Sequence, residues 1–355
     1  MAKRLPILLW GDLVQGRKPV LRRALAGFRA HECMYAWVYL TDYLALRRLQ
    51  RALSELDAPD LLFRHFDEKI WSRLDRSTID PHFQLNKAAF ETAALVTALC
   101  ATTSDEHPLL IELGATFFAS KTKFEIVDAV ASKHIERWRA LKPEWVGLDN
   151  SRFMHDVAHE LHGDGIEILD DYLKFRPSQR FSIFYSRFVA SYAFPGSDAL
   201  AKYLANNFQA VVLEDAFATV PQDIPVTNHG QDEVFFDIAH TIRTLEAQGF
   251  EAYLLDSYPD FPAQAAPCHV VKLLAVRRGI ALEKLSAIVD ALGFTFGPAA
   301  QRIDSVTILR RLNDAVTPGI WRHVRRAKEI PPCGDELRQP RPLGYSWIER
   351  EMLPV

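Results

Sequence analysis

The chain has 355 residues, 48% hydrophobic and 25% charged, with a formal net charge of −3. That balance belongs to an ordinary globular protein with a sizeable core, and it excludes a strongly basic nucleic-acid binder; basic clusters such as Arg322, Arg325, Arg326 and Lys328 are local. The four cysteines, Cys33, Cys100, Cys268 and Cys333, are far apart without paired spacing, which excludes a zinc or disulfide framework.

At the N-terminus, Lys3 and Arg4 precede a short apolar run, Leu5–Trp10, which Pro6 breaks. It is too short for a signal peptide, and no stretch approaches the ~20 apolar residues of a membrane helix. A cytoplasmic protein is expected. Residues 17–104 carry a helical hydrophobic period and no clear strand. In 85–100, Leu85, Ala88, Ala89, Thr92, Leu95, Val96 and Leu99 recur at three- and four-residue steps and mark one apolar helix face. Around 33–50, Met34, Trp37, Val38, Tyr43, Leu44 and Leu49 define another helix with an aromatic side.

After Pro108 the pattern changes. The run Leu109-Leu110-Ile111-Glu112-Leu113-Gly114 reads as a strand buried on both faces of a parallel sheet. A helical segment follows over 121–141, then a second strand, Trp145–Leu148, ending in Asp149, and a helix opened by Ser151 and reaching about 162. Further strands are expected at Ile166–Leu169, ending in Asp170 and Asp171, at Phe181–Phe188, and at Gln209–Leu213, ending in Glu214 and Asp215. A helix over 232–248 stops at Gly249. Closing strands near Ala252–Asp256 and Val270–Val276 complete a doubly wound α/β sheet. Two helices, 282–292 and 303–313, precede a Pro-rich basic tail expected to pack on the body or on a partner subunit. Possible homodimerisation follows from that tail.

This order resembles the class I S-adenosylmethionine (SAM) dependent methyltransferases over residues 105–280. The resemblance implies a Rossmann-like seven-stranded sheet, with a helical lid region at 1–104 and helices and tail at 281–355 packing on the core. SAM is then the cosubstrate or sole substrate. Glu112, Gly114, Ala115 and Thr116 take the place of the glycine-rich turn under its methionine part, with Glu112 near the amino group. Asp149, supported by Asn150, accepts the ribose hydroxyls, as acidic residues do in dinucleotide-binding folds. Asp170 or Asp171 meets the adenine. This turn departs from the family in having one glycine where two or three are usual.

The segment from Phe181 to Phe194 is unusually aromatic. Much of it suits a buried strand, but the end of this strand faces the sulfonium in the family, and aromatic faces attract cations. Tyr185, Phe188 and Tyr192, with Tyr172 from another direction and Ser186 alongside, are therefore candidate site residues. His229, in a loop between the fifth strand and its helix, and Glu214 are candidate bases for a hydroxyl acceptor. His155, His159 and His162 share a helix face, but without supporting carboxylates or cysteines no metal is expected.

The implied function is methyl transfer to a small molecule of secondary metabolism, without nucleic acid or membrane partners. Two alternatives stand beside it. One is cyclisation of SAM to azetidine-2-carboxylate and methylthioadenosine, to whose bacterial synthases the organisation is generally similar. The other is a catalytically silent SAM-fold scaffold.

Overall fold

The computed structural model describes residues 87–103, 107–114, 141–149, 175–177, 181–228, 231–259, 268–292 and 301–314, with isolated positions between 124 and 138. Elements are numbered among these residues. The first helix, α1 (Lys87–Thr102), was expected to bury one face, yet Thr92 to Ala101 are all buried. Alanines, threonines and Cys100 fill its second side, so nothing on the described part of the helix demands water.

Strand β1 (Leu109–Leu113) is buried throughout and pairs in parallel with β2 (Glu144–Leu148) on one side and β3 (Ser182–Arg187) on the other. Beside β3 runs β4 (Ala210–Ala218), also parallel and buried along its whole length. Next to β4 lies β8 (Cys268–Arg277), antiparallel, followed by β7 (Phe250–Pro259) and the short β9 (Gln301–Ile303). The order is β2-β1-β3-β4-β8-β7-β9, with β5 (Ile224–Asn228) and β6 (Gln231–Asp237) forming a hairpin whose β6 end joins β4. This is a doubly wound, Rossmann-like α/β sheet. The expected strand at Ile166–Leu169 and the helix after Ser151 lie outside the described residues.

Strand alternation sends side chains into two cores. On one face, Leu110, Ile183, Tyr185, Ala210, Val212 and Leu274 meet α1 and α5 (Leu282–Ala291). On the other, Ile111, Phe184, Val211 and Leu273 meet α3 (Ser197–Asn207), α4 (Ile238–Ala247) and α6 (Ile308–Asp314). A single turn, α2 (Ala190–Ala193), follows β3 on this second face.

Three sequence expectations change. Glu214 and Asp215 do not end their strand, which continues to Ala218 because its apolar run is paired by β8 through Cys268. Residues 231–237 are strand rather than helix: Phe235 pairs opposite Ile224, and Phe236 opposite Phe217. The helix starts only after Asp237, whose carboxylate accepts the His240 backbone N–H at 2.9 Å, as an N-cap does. The expected last helix is β9 followed by the shorter α6.

Candidate active site

The strand order reverses at β1, which has β2 on one side and β3 on the other. In open α/β sheets such a reversal leaves a crevice outside the carboxyl ends of the strands, the usual place for a ligand. Glu112, buried one residue before the end of β1, and Asp149, half-buried just past β2, bring two carboxylates to adjoining strand ends. Between them Gly114 has φ +64° and donates its N–H to Leu148 O at 2.7 Å. A Cβ on Gly114 would collide with the Val189 side chain. The glycine is thus needed for the chain's own close approach at the end of β3 as well as for its backbone angle.

Polarity rises along the α1 face toward this end. The row Leu110, Ile183, Ala210, Val276 is apolar, and its next position, on β7, is Glu251. One step along are Glu112, Tyr185, Val212 and Leu274, and one further are Arg187, Glu214, Lys272 and Asp256, four charges of alternating sign in cross-strand register. Arg187 Nε lies 3.1 Å from Glu214 Oε2, with the two side chains only 6% and 9% exposed. Burial pushes the Tyr185 phenol above its ordinary value; Arg187 opposes the rise, and Glu112 and Glu214 add to it.

Phe188, the next residue, has φ 57°, a left-handed conformation rare for a bulky side chain. Its N–H donates to Glu214 O at 2.8 Å, and the Arg187 guanidinium sits 5.5 Å from its ring centre. On the other face Asp215 is wholly buried, accepting from Ser191 N–H at 3.2 Å and Ala216 N–H at 2.8 Å. Burial lifts its carboxyl to about 7, against the pull of the Ala216 and Ser191 hydrogen bonds and with a small push from Glu233.

Glu112, Gly114, Asp149, Ser186 and Phe188 therefore all lie at the carboxyl ends of adjacent strands. The candidate aromatics do not share one environment. Tyr185 is packed in the core on the α1 face, one side of Phe188 carries Arg187, and Tyr192 is exposed on α2. Ser186 is buried on the face opposite Tyr185, its Oγ without a hydrogen-bond partner among the described residues. Glu214, a candidate base, has an oxygen engaged by Arg187. The chain on either side of 229–230 is strand, with Asn228 paired to Gln231, so β5 is followed by β6 rather than by the expected helix. His229 itself, Ala115, Thr116, Asn150, Asp170, Asp171, Tyr172 and the three histidines of 155–162 lie outside the described residues. Sequence reasoning missed Arg187 and Lys272. The available signal was a charge inside an otherwise apolar strand.

No protein-family model and no curated protein matches the sequence. Among solved structures, the chain is similar to EvdMO1, at 17% identity and TM-score 0.37, covering 60% of this chain and 48% of that one. It is also similar to the EvdMO1 N-terminal domain with SAH bound, at 15% identity and TM-score 0.38, covering 59% of this chain and 96% of that one. A third is Burkholderia thailandensis 1,6-didemethyltoxoflavin-N1-methyltransferase with S-adenosylhomocysteine, at 13% identity and TM-score 0.34, covering 61% and 85%. The chain thus spans about half the length of EvdMO1, at 48%. The fold assignment rests on the strand order and not on these likenesses.

Proposed function

We propose that the protein is a SAM-utilising enzyme that transfers the methyl group to a small-molecule acceptor. The observation that carries this reading is the sheet order: a reversal at β1/β3, with the antiparallel β8 inserted between β4 and β7. A doubly wound, Rossmann-like sheet is what the class I methyltransferase resemblance implies, and Glu112, Gly114 and Asp149 lie at adjoining strand ends in it.

The residues present suit the cosubstrate. The Asp149 carboxylate can accept both ribose hydroxyls at once, and Glu112 offers a counter-charge for the amino group. SAM supplies an electrophilic methyl on a sulfonium, so in-line alignment and exclusion of water are the protein's main tasks. Strand β1, buried along its whole length beneath the site, serves the second task.

Calorimetric titration with S-adenosylhomocysteine tests the reading. The wild-type protein binds, and Asp149→Ala weakens binding by about 1.5–3 kcal/mol, the worth of hydrogen bonds to a charged group. Equal affinity in the two proteins would remove Asp149 from the site. Mass spectrometry after incubation with SAM alone separates the chemistries: intact SAM leaves methyl transfer to an acceptor, whereas methylthioadenosine with azetidine-2-carboxylate would replace it by ring closure.

A further inference from the structure

We propose that Asp215 is a positioning residue for the cosubstrate: with its proton it holds the segment from Phe188 to Tyr192 closed against Gly114, and without it the segment loosens. The proposal rests on the SAM reading above, because Gly114 lies where that reading puts the cosubstrate.

The segment hangs on two consecutive residues of β4. Phe188 N–H donates to Glu214 O at 2.8 Å, and Ser191 N–H donates to Asp215 Oδ2 at 3.2 Å. The first acceptor is a backbone carbonyl, which keeps its character at every pH. The second is a carboxyl group, which does not. Between the two anchors the Val189 side chain packs against Gly114. The hold on β4 is therefore also the hold on the turn after β1. α2 is a single turn without a side-chain cap at Val189, and Tyr192 on it is exposed. So thin a cover opens at low cost, and opening relaxes the left-handed Phe188.

The surroundings of Asp215 decide which form stays closed. Asp215 is wholly buried, and its Oδ1 accepts from Ala216 N–H at 2.8 Å. Each oxygen thus has a backbone donor, but no lysine or arginine among the described residues acts on the group. Glu233 on β6 pushes the carboxyl up, and Asp223 and Asp237 stand at the starts of α3 and α4. On β8 the residue opposite is Val271. His269, one pair further on the same face, is lowered by burial toward its neutral form. Leu200 on α3 and Ile238 and Ile242 on α4 are apolar, and Arg187 and Lys272 belong to the opposite face of the sheet. A carboxyl group so placed either keeps its proton or must meet water. The closed segment binds the proton and an open one releases it, so a ligand that needs the closed segment binds better to the acid form.

The test reads the segment and the site separately, on the full chain. Protein grown with 3-fluorotyrosine reports α2 through the fluorine resonance that is lost in Tyr192→Phe. In the ligand-free wild type this resonance should move as the pH is raised, with a midpoint of about 7. The calorimetric affinity for S-adenosylhomocysteine should fall about threefold or more between about pH 5.5 and 8. Asp215→Asn, uncharged throughout, should keep the acid-form resonance and affinity across that range. Glu233→Gln removes the neighbouring charge and should move both midpoints to lower pH, which keeps the test decisive if Asp215→Asn does not fold. A resonance that ignores pH, the same profiles in Asp215→Asn, midpoints unmoved in Glu233→Gln, or tighter binding at high pH overturns the proposal. Failure of S-adenosylhomocysteine to bind the wild type at any pH overturns the SAM reading instead, and the resonance alone then decides whether Asp215 holds the turn.

Discussion

At the residue scale, Gly114 and Phe188 share the left-handed backbone region, at φ 64° and 57°, but for different reasons. Gly114 has no alternative, because a side chain there meets both an unfavourable φ and the Val189 methyl groups. Gly114→Ala is expected to destabilise the fold by about 1–3 kcal/mol in urea denaturation and to weaken S-adenosylhomocysteine binding with it. Adding Val189→Ala should recover the packing part and leave the backbone part. A wild-type stability for Gly114→Ala alone would mean the turn relaxes freely. Glu112, Gly114 and Asp149 were legible in the sequence because each closes a short apolar run. Arg187 and Glu214 were visible only as charges, since their pairing depends on the β3–β4 register.

At the scale of elements, Arg277 at the end of β8 ties two helix C-termini together. Its Nη2 donates to Ala205 O at 2.5 Å, Nε to Phe208 O at 3.2 Å and Nη1 to Gln248 O at 3.0 Å, over the Phe250 ring at 4.7 Å. These are carbonyls at the ends of α3 and α4 that have no continuing turn to bond them. Arg277→Lys keeps the charge but not the fork, and is expected to cost about 1–3 kcal/mol by thermal or urea unfolding. A lysine variant as stable as the wild type would show that charge alone suffices. At the other end of α3, Asp223 accepts from Ser197 N–H at 3.0 Å and from Asp237 N–H at 2.7 Å, joining the starts of α3 and α4 from outside both. Asp223→Ala should cost about 1–2 kcal/mol, like the loss of a helix cap, seen as earlier urea unfolding. Such distal capping left no local signature. The true start of α4 did leave one, the Asp237 cap, but the apolar stretch before it matches a helical period as well as a strand.

For the whole molecule, the buried Asp215 links stability to pH. Its carboxyl is raised from 3.8 to about 7 in the folded state, so the folded protein holds a proton that the unfolded chain releases between those values. Stability from this group is therefore greatest below about pH 4, falls as pH rises toward 7, and is level above. The charge of Glu233 raises the carboxyl further and so extends the fall to higher pH. Comparing urea midpoints of wild type and Asp215→Asn between pH 4 and 8 checks this: the wild type should lose stability relative to the variant as pH rises. Parallel curves would place the proton elsewhere.

The sequence by itself determined the apolar strands and the acidic ends of β1 and β2, because a strand buried on both faces must be a short apolar run and a ligand-facing end need not be. It also marked the stop of α4 at Gly249, whose φ of 84° few other residues adopt. Only the tertiary structure decided that α1 is buried all round from Thr92 to Ala101, that β4 runs on to Ala218, that a hairpin precedes α4, and that Arg187, Glu214, Lys272 and Asp256 share one row. Those outcomes depend on which strand lies beside which and in what register. Local hydrophobic period carries no record of either, because the partners come from distant parts of the chain.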